Sequence, residues 1–194
     1  MKPAELLEFL AMAEKLKCNT RHSYTSSGRH ESVAEHSFRL ALMAYMVSDE
    51  VREIDTDKVI RMCLIHDLGE AITGDIPSFE KTDSDEAAED SAVSGFVNQL
   101  PEYWKKQLGE MYSEMNELKT PEAKLYKALD KLEAVIQHNE ADISTWLPLE
   151  YELQLTYGTE ECSFNEYINS LRDEVRSVSE KKIKDNRQQQ NSRR

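Results

Sequence analysis

The sequence predicts an all-α domain, and three of its features favour that fold class. The chain has only six glycines and five prolines in 194 residues, about half of average usage, whereas all-β folds need both for their many tight turns. Apolar residues recur at helical spacing through most of the chain. Several segments also begin with residues that cap helices. At 22.4 kDa the chain is long enough for one well-buried domain, which we expect over residues 1–185.

The predicted helices follow one another through short polar connections. In chain order we predict a helix over about residues 3–17, a polar loop over 18–31, a helix from the Ser32/Glu35 capping box to about Val51, a helix from a Thr56 cap to Gly74, a loop or acidic helix start over 76–89, a helix from Thr120-Pro121 to Glu140, and a last helix after the Ser163/Glu166 box. The helices that begin at Ser32 and Thr56 are apolar on nearly every side, which predicts two central buried helices. For residues 186–194 we predict a disordered polar and basic tail.

Charge and composition exclude several classes of function. The net charge of −13 opposes binding to a nucleic-acid polymer or to an anionic membrane. No apolar run is long enough to span a bilayer, and the acidic, amphipathic N-terminus does not resemble a secretory signal. Three widely spaced cysteines, Cys18, Cys63 and Cys162, argue against a disulfide framework. We therefore expect a cytoplasmic protein.

Ionisable residues lie inside helices that are otherwise apolar, where each needs a partner. His36 lies in the first turn of one central helix, and His66 and Asp67 are adjacent near the end of the other. A buried His-Asp pair leaves two polar groups to satisfy at once, and one divalent cation satisfies both. The alternative is structural, with each histidine donating to a carbonyl group. The spacing alone leaves both interpretations open.

Two further residues suit chemistry beside such an ion. Glu70 comes four residues after His66 and three after Asp67, so a helix places it on the same face, where a carboxylate can act as general acid or base. Arg21, in the polar loop, has the planar guanidinium that binds phosphate. Each also has an ordinary interpretation, as a surface acid near a helix end and as a solvated loop arginine.

Three strings, ESVAEHSFRLALMA, HDLGEAITGDIP and EAKLYKALDKLEA, resemble the 5'-deoxynucleotidase branch of the HD-domain metal-dependent phosphohydrolases. The resemblance covers about residues 3–140, and the string around the HD pair is much more specific than the bare H…HD…D signature. It implies an HD-domain helical globule whose two central helices carry the metal ligands. It also implies that His36, His66, Asp67 and Asp130 hold one divalent ion, which by ligand chemistry is Mn, Fe, Co, Ni or Zn.

The same resemblance implies roles for further residues. Glu70 corresponds to the catalytic carboxylate, beside the ligand Asp67, and Asp75 corresponds to an acid near the substrate's sugar. Arg21 matches the arginine that binds the substrate phosphate. The next residue is a tryptophan in the family but His22 here, and this smaller ring would loosen discrimination between deoxyribose and ribose. The family also implies a homodimer.

The expected activity is hydrolysis of a small-molecule nucleotide, a (2'-deoxy)nucleoside 5'-monophosphate, to nucleoside and phosphate. One alternative keeps the metal but acts on another small phosphate ester or nucleotide; alarmone hydrolases, for example, have HDxxED, whereas Ala71 follows Glu70 here. The other alternative is a non-catalytic metal-binding interaction protein, which the intact set of ligands disfavours. His30 and His138 match no motif and are predicted to be structural or surface residues.

Overall fold

The computed structural model describes residues 1–192, which form a helical globule with one two-stranded sheet. In chain order the elements are α1 (Pro3–Ala13), β1 (Thr20–Tyr24), β2 (His30–Ser32), α2 (Val33–Met46), α3 (Thr56–Ile65), α4 (Glu70–Thr73), α5 (Asp83–Val97), α6 (Glu102–Glu117), α7 (Pro121–Glu140), α8 (Glu150–Thr156), α9 (Thr159–Cys162) and α10 (Glu166–Ser192). Short 3₁₀ turns follow α1 and α7. The predicted all-α class is confirmed. No helix within residues 1–192 has both the length and the apolar character needed to cross a membrane.

Helices α2, α3 and α7 form the centre of the fold and bury most of the large aliphatic side chains. Fully buried examples are Leu40 from α2, Met62 from α3, and Leu125, Leu129 and Leu132 from α7. Each such side chain contributes about 1.5–3 kcal/mol through its removal from water. The sequence predicts two central helices, and the structure adds α7 as a third. This third central helix carries Asp130.

Helix caps follow the predicted chemistry, although two of them use a neighbouring residue. The capping box at Ser32–Glu35 forms as predicted, with Ser32 Oγ accepting from the Glu35 amide and the Glu35 carboxylate accepting from the Ser32 amide. Asp55 rather than Thr56 caps α3. Asn165 rather than Ser163 caps the first turn of α10. Asp is a stronger N-cap than Thr, and Asn is about as strong as Ser. A side-chain oxygen therefore caps each helix as predicted, but from a neighbouring position.

The helix predicted to run to Gly74 is interrupted at the HD pair. Helix α3 ends at Ile65, and residues 66–69 form tight turns before α4. Amides here bond to carbonyl groups three residues back, as in Leu68 N to Ile65 O at 3.1 Å and Glu70 N to Asp67 O at 3.0 Å. Such bonds tighten the backbone to about three residues per turn. Consequently Glu70 lies one turn of about three residues after Asp67.

Two segments predicted to lack regular structure are ordered. The polar loop contains β1 and β2, which pair in antiparallel fashion with Thr20 opposite Ser32. This hairpin fixes the positions of Arg21 and His22, both in β1. The predicted disordered tail from residue 186 instead continues α10 through Ser192, and residues 193 and 194 lie outside the described residues.

One face of α2 is exposed, contrary to the prediction of burial on several sides. Helical spacing of four, three and one residues brings its large apolar side chains together in one stripe. We call this surface the α2 stripe; it consists of Phe38, Leu42, Tyr45 and Met46, which are 46–68% exposed. The helix is therefore apolar all round because its inner face packs in the core and its outer face carries this stripe.

Candidate metal centre and active site

Four predicted metal ligands converge from three parts of the fold. His36 comes from α2, His66 and Asp67 from the turns after α3, and Asp130 from the middle of α7. His36 Nε2 lies 3.2 Å from His66 Nε2 and 3.2 Å from Asp130 Oδ1. His66 Nε2 lies 3.0 Å from Asp67 Oδ2. Atoms bound to one cation at about 2.0–2.2 Å are themselves about 3 Å apart, so this metal-ligand set fits a single ion.

The hydrogen bonds made by the Nδ1 atoms of His36 and His66 determine which ring nitrogen of each histidine carries the lone pair. His36 Nδ1 donates to the carboxylate of Glu133, and His66 Nδ1 donates to the carbonyl oxygen of Cys63 at 2.9 Å. A neutral imidazole that donates from Nδ1 carries a lone pair on Nε2. The two Nε2 atoms face each other, so a proton or a metal ion must lie between them. Outer hydrogen bonds of this kind are typical of metal-binding histidines.

Without a metal, a proton takes the place of the cation. Burial and the charge of Arg21 lower the pKa of His36, but hydrogen bonds to Asp130 and Glu133 outweigh them and raise it to about 9. Burial alone would raise the pKa of Asp67, yet His66 holds it at about 2. The site therefore provides ionised carboxylates and, on His36, a proton that a cation can displace. Metal binding at such a site releases protons.

Glu70 lies beside the metal-ligand set and has a carboxylate oxygen without a partner. Its Oε2 is buried and accepts no hydrogen bond within residues 1–192, and the residue is only 5% exposed. Burial, together with the charges of Asp67 and Asp75, raises the pKa of Glu70 from 4.5 to about 10. A buried carboxyl group that retains its proton and lines a pocket is suited to general acid–base chemistry.

Arg21 and Asp75 line the same pocket as Asp67 and Asp130 of the metal-ligand set. Arg21 Nη1 lies 3.2 Å from both Glu31 Oε2 and Glu133 Oε2, and its Nε is 4.0 Å from Asp75 Oδ1. Its Nη2 makes no hydrogen bond within the described part of the chain, so a donor remains for an anion. Asp75 follows Gly74, whose φ of +78° favours glycine and turns the chain after α4.

His22 lies with a different group of side chains, near the C-terminal end of α7. Its Nε2 is 3.0 Å from Glu150 Oε1, and its ring meets the ring of Phe79 edge-on at 5.6 Å between centroids. His138 Nε2 is 2.9 Å from the same Glu150 oxygen. His138, predicted to be structural or a surface residue, therefore lines the pocket as His22 does.

Sequence reasoning missed Glu133, which connects two parts of the site. Its carboxylate is fully buried and accepts hydrogen bonds from His36, from Arg21 at 3.2 Å and from Arg39 Nε at 2.6 Å. Burial would raise the pKa of Glu133, but these partners hold it at about 2. One carboxylate thus contacts a predicted metal ligand and the predicted phosphate-binding arginine. The available signal was an acid within the apolar face of α7, the same signal that singled out the HD pair.

Lys127 was also missed. Its Nζ donates to Asp130 Oδ2 at 2.9 Å, and it lines the pocket. Asp130 holds the pKa of this lysine well above its ordinary value despite burial, so Lys127 places a fixed positive charge beside the metal-ligand set. No feature of the sequence distinguishes this lysine from the others on α7.

Glu133→Gln is expected to weaken metal binding and turnover together by about 10–100-fold, the usual effect of losing an outer carboxylate. Glutamine keeps the size of the side chain but removes the charge that His36, Arg21 and Arg39 share. Competition with a chromophoric chelator and phosphate release at fixed metal measure the two effects. Glu140→Gln is the matched control, because Glu140 also pairs with Arg39 but is half exposed. An unchanged metal affinity in Glu133→Gln would contradict the assignment.

Comparisons with known proteins place this geometry in a family. The HD domain model matches residues 13–172. The chain is 34% identical to 5'-deoxynucleotidase HDDC2 of Homo sapiens over 139 residues, which are 70% of this chain and 67% of that protein. The Dictyostelium discoideum protein of the same name is 33% identical over 144 residues, 69% of this chain and 76% of that one. A crystal structure described as a predicted metal-dependent phosphohydrolase from Magnetospirillum magnetotacticum MS-1 has the same fold, with a TM-score of 0.77 and 24% identity over 93% of this chain and 95% of that chain. The chain belongs to the HD domain family.

Proposed function

We propose that this chain is a metal-dependent phosphomonoesterase that hydrolyses nucleoside 5'-monophosphates, the 2'-deoxy ones in particular, to nucleoside and inorganic phosphate. The observation that carries the proposal is that one pocket is lined by Asp67 and Asp130 of the metal-ligand set, by Arg21 and by Glu70, whose Oε2 has no partner within residues 1–192. Relatives named 5'-deoxynucleotidase support the substrate class.

His36, His66, Asp67 and Asp130 would hold the metal ion. Two imidazole nitrogens and two carboxylate oxygens without a thiolate suit Mn, Fe, Co, Ni or Zn. When bound, a divalent ion supplies Lewis acidity, which polarises a phosphate oxygen and lowers the pKa of a nearby water. The protein residues around it supply binding, orientation and proton transfer.

Positive side chains and one carboxyl group would act on the phosphate ester. Arg21 donates from Nη2 to a non-bridging phosphate oxygen, and the charge of Lys127 offsets the negative charge of the same group. A water oxygen forms the new bond to phosphorus as the bond to the 5'-oxygen breaks. Glu70 holds its proton at Oε2 and donates it to the 5'-oxygen, so the nucleoside leaves as a neutral alcohol, and the proton released by the attacking water restores the carboxyl group of Glu70. Asp75 accepts a hydrogen bond from a sugar hydroxyl and so orients the ester.

Metal removal is expected to abolish phosphate release, and added Mn²⁺ or Co²⁺ should restore it. The assay measures phosphate released from each deoxynucleoside and ribonucleoside 5'-monophosphate, before and after EDTA treatment and dialysis. Faster release from the deoxy series would support the proposed selectivity, and equal rates would contradict it. Absence of metal-restored release from every monophosphate would refute the proposed activity.

We further propose that two copies of the chain associate through the α2 stripe. Four large apolar side chains exposed on one helix face form a patch that monomers rarely leave in water, and a symmetric dimer would bury it twice. Tyr45→Glu should convert a dimer into a monomer in sedimentation experiments. Tyr103→Glu is the control, because Tyr103 is similarly exposed, at 66% against 63%, but lies on α6. A wild-type monomer would contradict this proposal.

We also propose that residues 1–185 are one domain of a cytoplasmic protein. Helices α2, α3 and α7 share one core with residues of α10, such as Ile168. Cys18, Cys63 and Cys162 are all unpaired thiols, as expected in a reducing compartment. Limited proteolysis should leave one large fragment, and fractionation of cells should recover the protein with cytosolic markers; two stable fragments or a secreted product would contradict the proposal.

A further inference from the structure

A second group of metal-binding side chains lies in the pocket, apart from the metal-ligand set. His22 from β1, His138 from α7 and Glu150 from α8 bring their donor atoms within 4.8 Å of one another. Both Nε2 atoms face the same oxygen, Glu150 Oε1, at 3.0 and 2.9 Å. These are the separations expected between atoms that share one cation.

The tautomer of His138 makes this contact unusual. Its Nδ1 lies 2.9 Å from the carbonyl oxygen of Ala134, and because a carbonyl only accepts, the hydrogen must be on Nδ1. A neutral His138 therefore presents a lone pair from Nε2 to the carboxylate of Glu150. Two lone pairs at 2.9 Å require a positive species between them. His66, in the metal-ligand set, has the same arrangement, with Nδ1 bonded to a carbonyl oxygen.

Glu150 is held as an ionised, oriented ligand. It is only 2% exposed, and its Oε2 accepts a hydrogen bond from the Leu147 amide at 2.6 Å. Burial raises the pKa of Glu150, but the close contact with His138 and the hydrogen bond from the Leu147 amide outweigh it and lower the pKa. The remaining oxygen, Oε1, points at both histidines.

We propose that His22, His138 and Glu150 bind a second divalent transition-metal ion. Two imidazole nitrogens and one carboxylate oxygen favour Zn²⁺, Co²⁺, Ni²⁺ or Cu²⁺ over Mg²⁺. Three protein ligands leave a coordination position open, and all three line the pocket, so a bound small molecule can occupy it. His138 lies eight residues beyond Asp130 on α7, which corresponds to about 12 Å along the helix axis, so the two ions would occupy separate sites.

The competing explanation is an imidazolium ion at His138 paired with Glu150, and metal stoichiometry separates the two. Purified full-length protein is dialysed against buffered low-micromolar Zn²⁺ or Co²⁺, and bound metal per chain is counted by mass spectrometry. We expect two ions for wild type, one for His138→Ala and one for His36→Ala. His30→Ala is the control, because it removes an exposed histidine outside both sites and should retain two.

Two results would overturn the proposal: one ion per chain in both wild type and His138→Ala, or two ions in both. Anomalous scattering from a Zn²⁺-soaked wild-type crystal gives a readout that does not depend on the folding of any variant. A peak between His22, His138 and Glu150 would support the second site. A peak confined to the metal-ligand set would leave the imidazolium pair as the explanation.

Discussion

Glu70→Gln is expected to lower turnover by about 10²–10⁴-fold, the typical contribution of a positioned general acid, with metal affinity nearly unchanged. Glutamine has the size of glutamate and fills the same buried space, but its amide group cannot donate a proton to a departing oxygen. Phosphate release under saturating substrate measures the first effect, and a chelator competition measures the second.

The same variant should also change how the stability of metal-free protein depends on pH. With a pKa raised from 4.5 to about 10, Glu70 holds a proton in the folded state that the unfolded chain has released across that window. Its contribution to the free energy of unfolding therefore falls as the pH rises from 4.5 towards 10. Glu70→Gln should remove this part of the decline between pH 6 and 9, measured by urea denaturation in EDTA.

Glu86→Gln is the matched control for both experiments. Glu86 is an exposed carboxylate that lines the same pocket, so Glu86→Gln makes the same chemical replacement in the pocket without touching the metal-ligand set. We expect wild-type turnover and a wild-type pH profile. Full activity in Glu70→Gln would assign proton transfer to another group.

Asp67→Ala is expected to abolish metal binding at the first site and, with it, phosphate release. Alanine removes one of the four proposed ligands, the carboxylate that lies 3.0 Å from His66 Nε2. A metal that binds only the folded state stabilises by about 2.7 kcal/mol at 100 times its Kd. Added Mn²⁺ should therefore raise the thermal midpoint of wild type but leave that of Asp67→Ala unchanged.

The thermal experiment has a control on the same helix. Asp57 is exposed in the first turn of α3, so Asp57→Ala removes an aspartate but no ligand and should keep the metal-dependent rise. If Asp67→Ala retained that rise, the ion would be held without Asp67, and the metal-ligand set would be wrong.

The sequence predicted structure and site residues best where a residue type has few possible roles at its position. His66 and Asp67 within an apolar helix predicted an unusual buried pair, and the structure places both beside His36 and Asp130. The helix beginning at Thr120-Pro121 formed as predicted because cap chemistry is local. These features depend on the residue and its near neighbours in the chain.

The rest depended on contacts between distant parts of the chain. Glu133 is an ordinary charged residue on α7 until α2 and β1 bring His36 and Arg21 to it, and Lys127 is one until the pocket forms around it. The hairpin over residues 20–32 was missed because its polar strands have no alternating apolar pattern. Likewise, the start of α5 was only one of two alternatives for residues 76–89 and α6 was not predicted, since their apolar faces are interrupted by acidic and small residues. His138 acquires a role only when α8 brings Glu150 to it.

The carboxylate of Glu133 has a further consequence for how the two binding events influence each other. Because it contacts both His36 and Arg21, it forms a continuous route between the cation position and the anion position. By thermodynamic linkage, if an occupied cation site tightens phosphate binding by some factor, phosphate must tighten cation binding by the same factor. Inorganic phosphate, the reaction product, should therefore protect the ion from chelators. In Glu133→Gln this mutual protection should shrink, even at concentrations where both sites can still be filled.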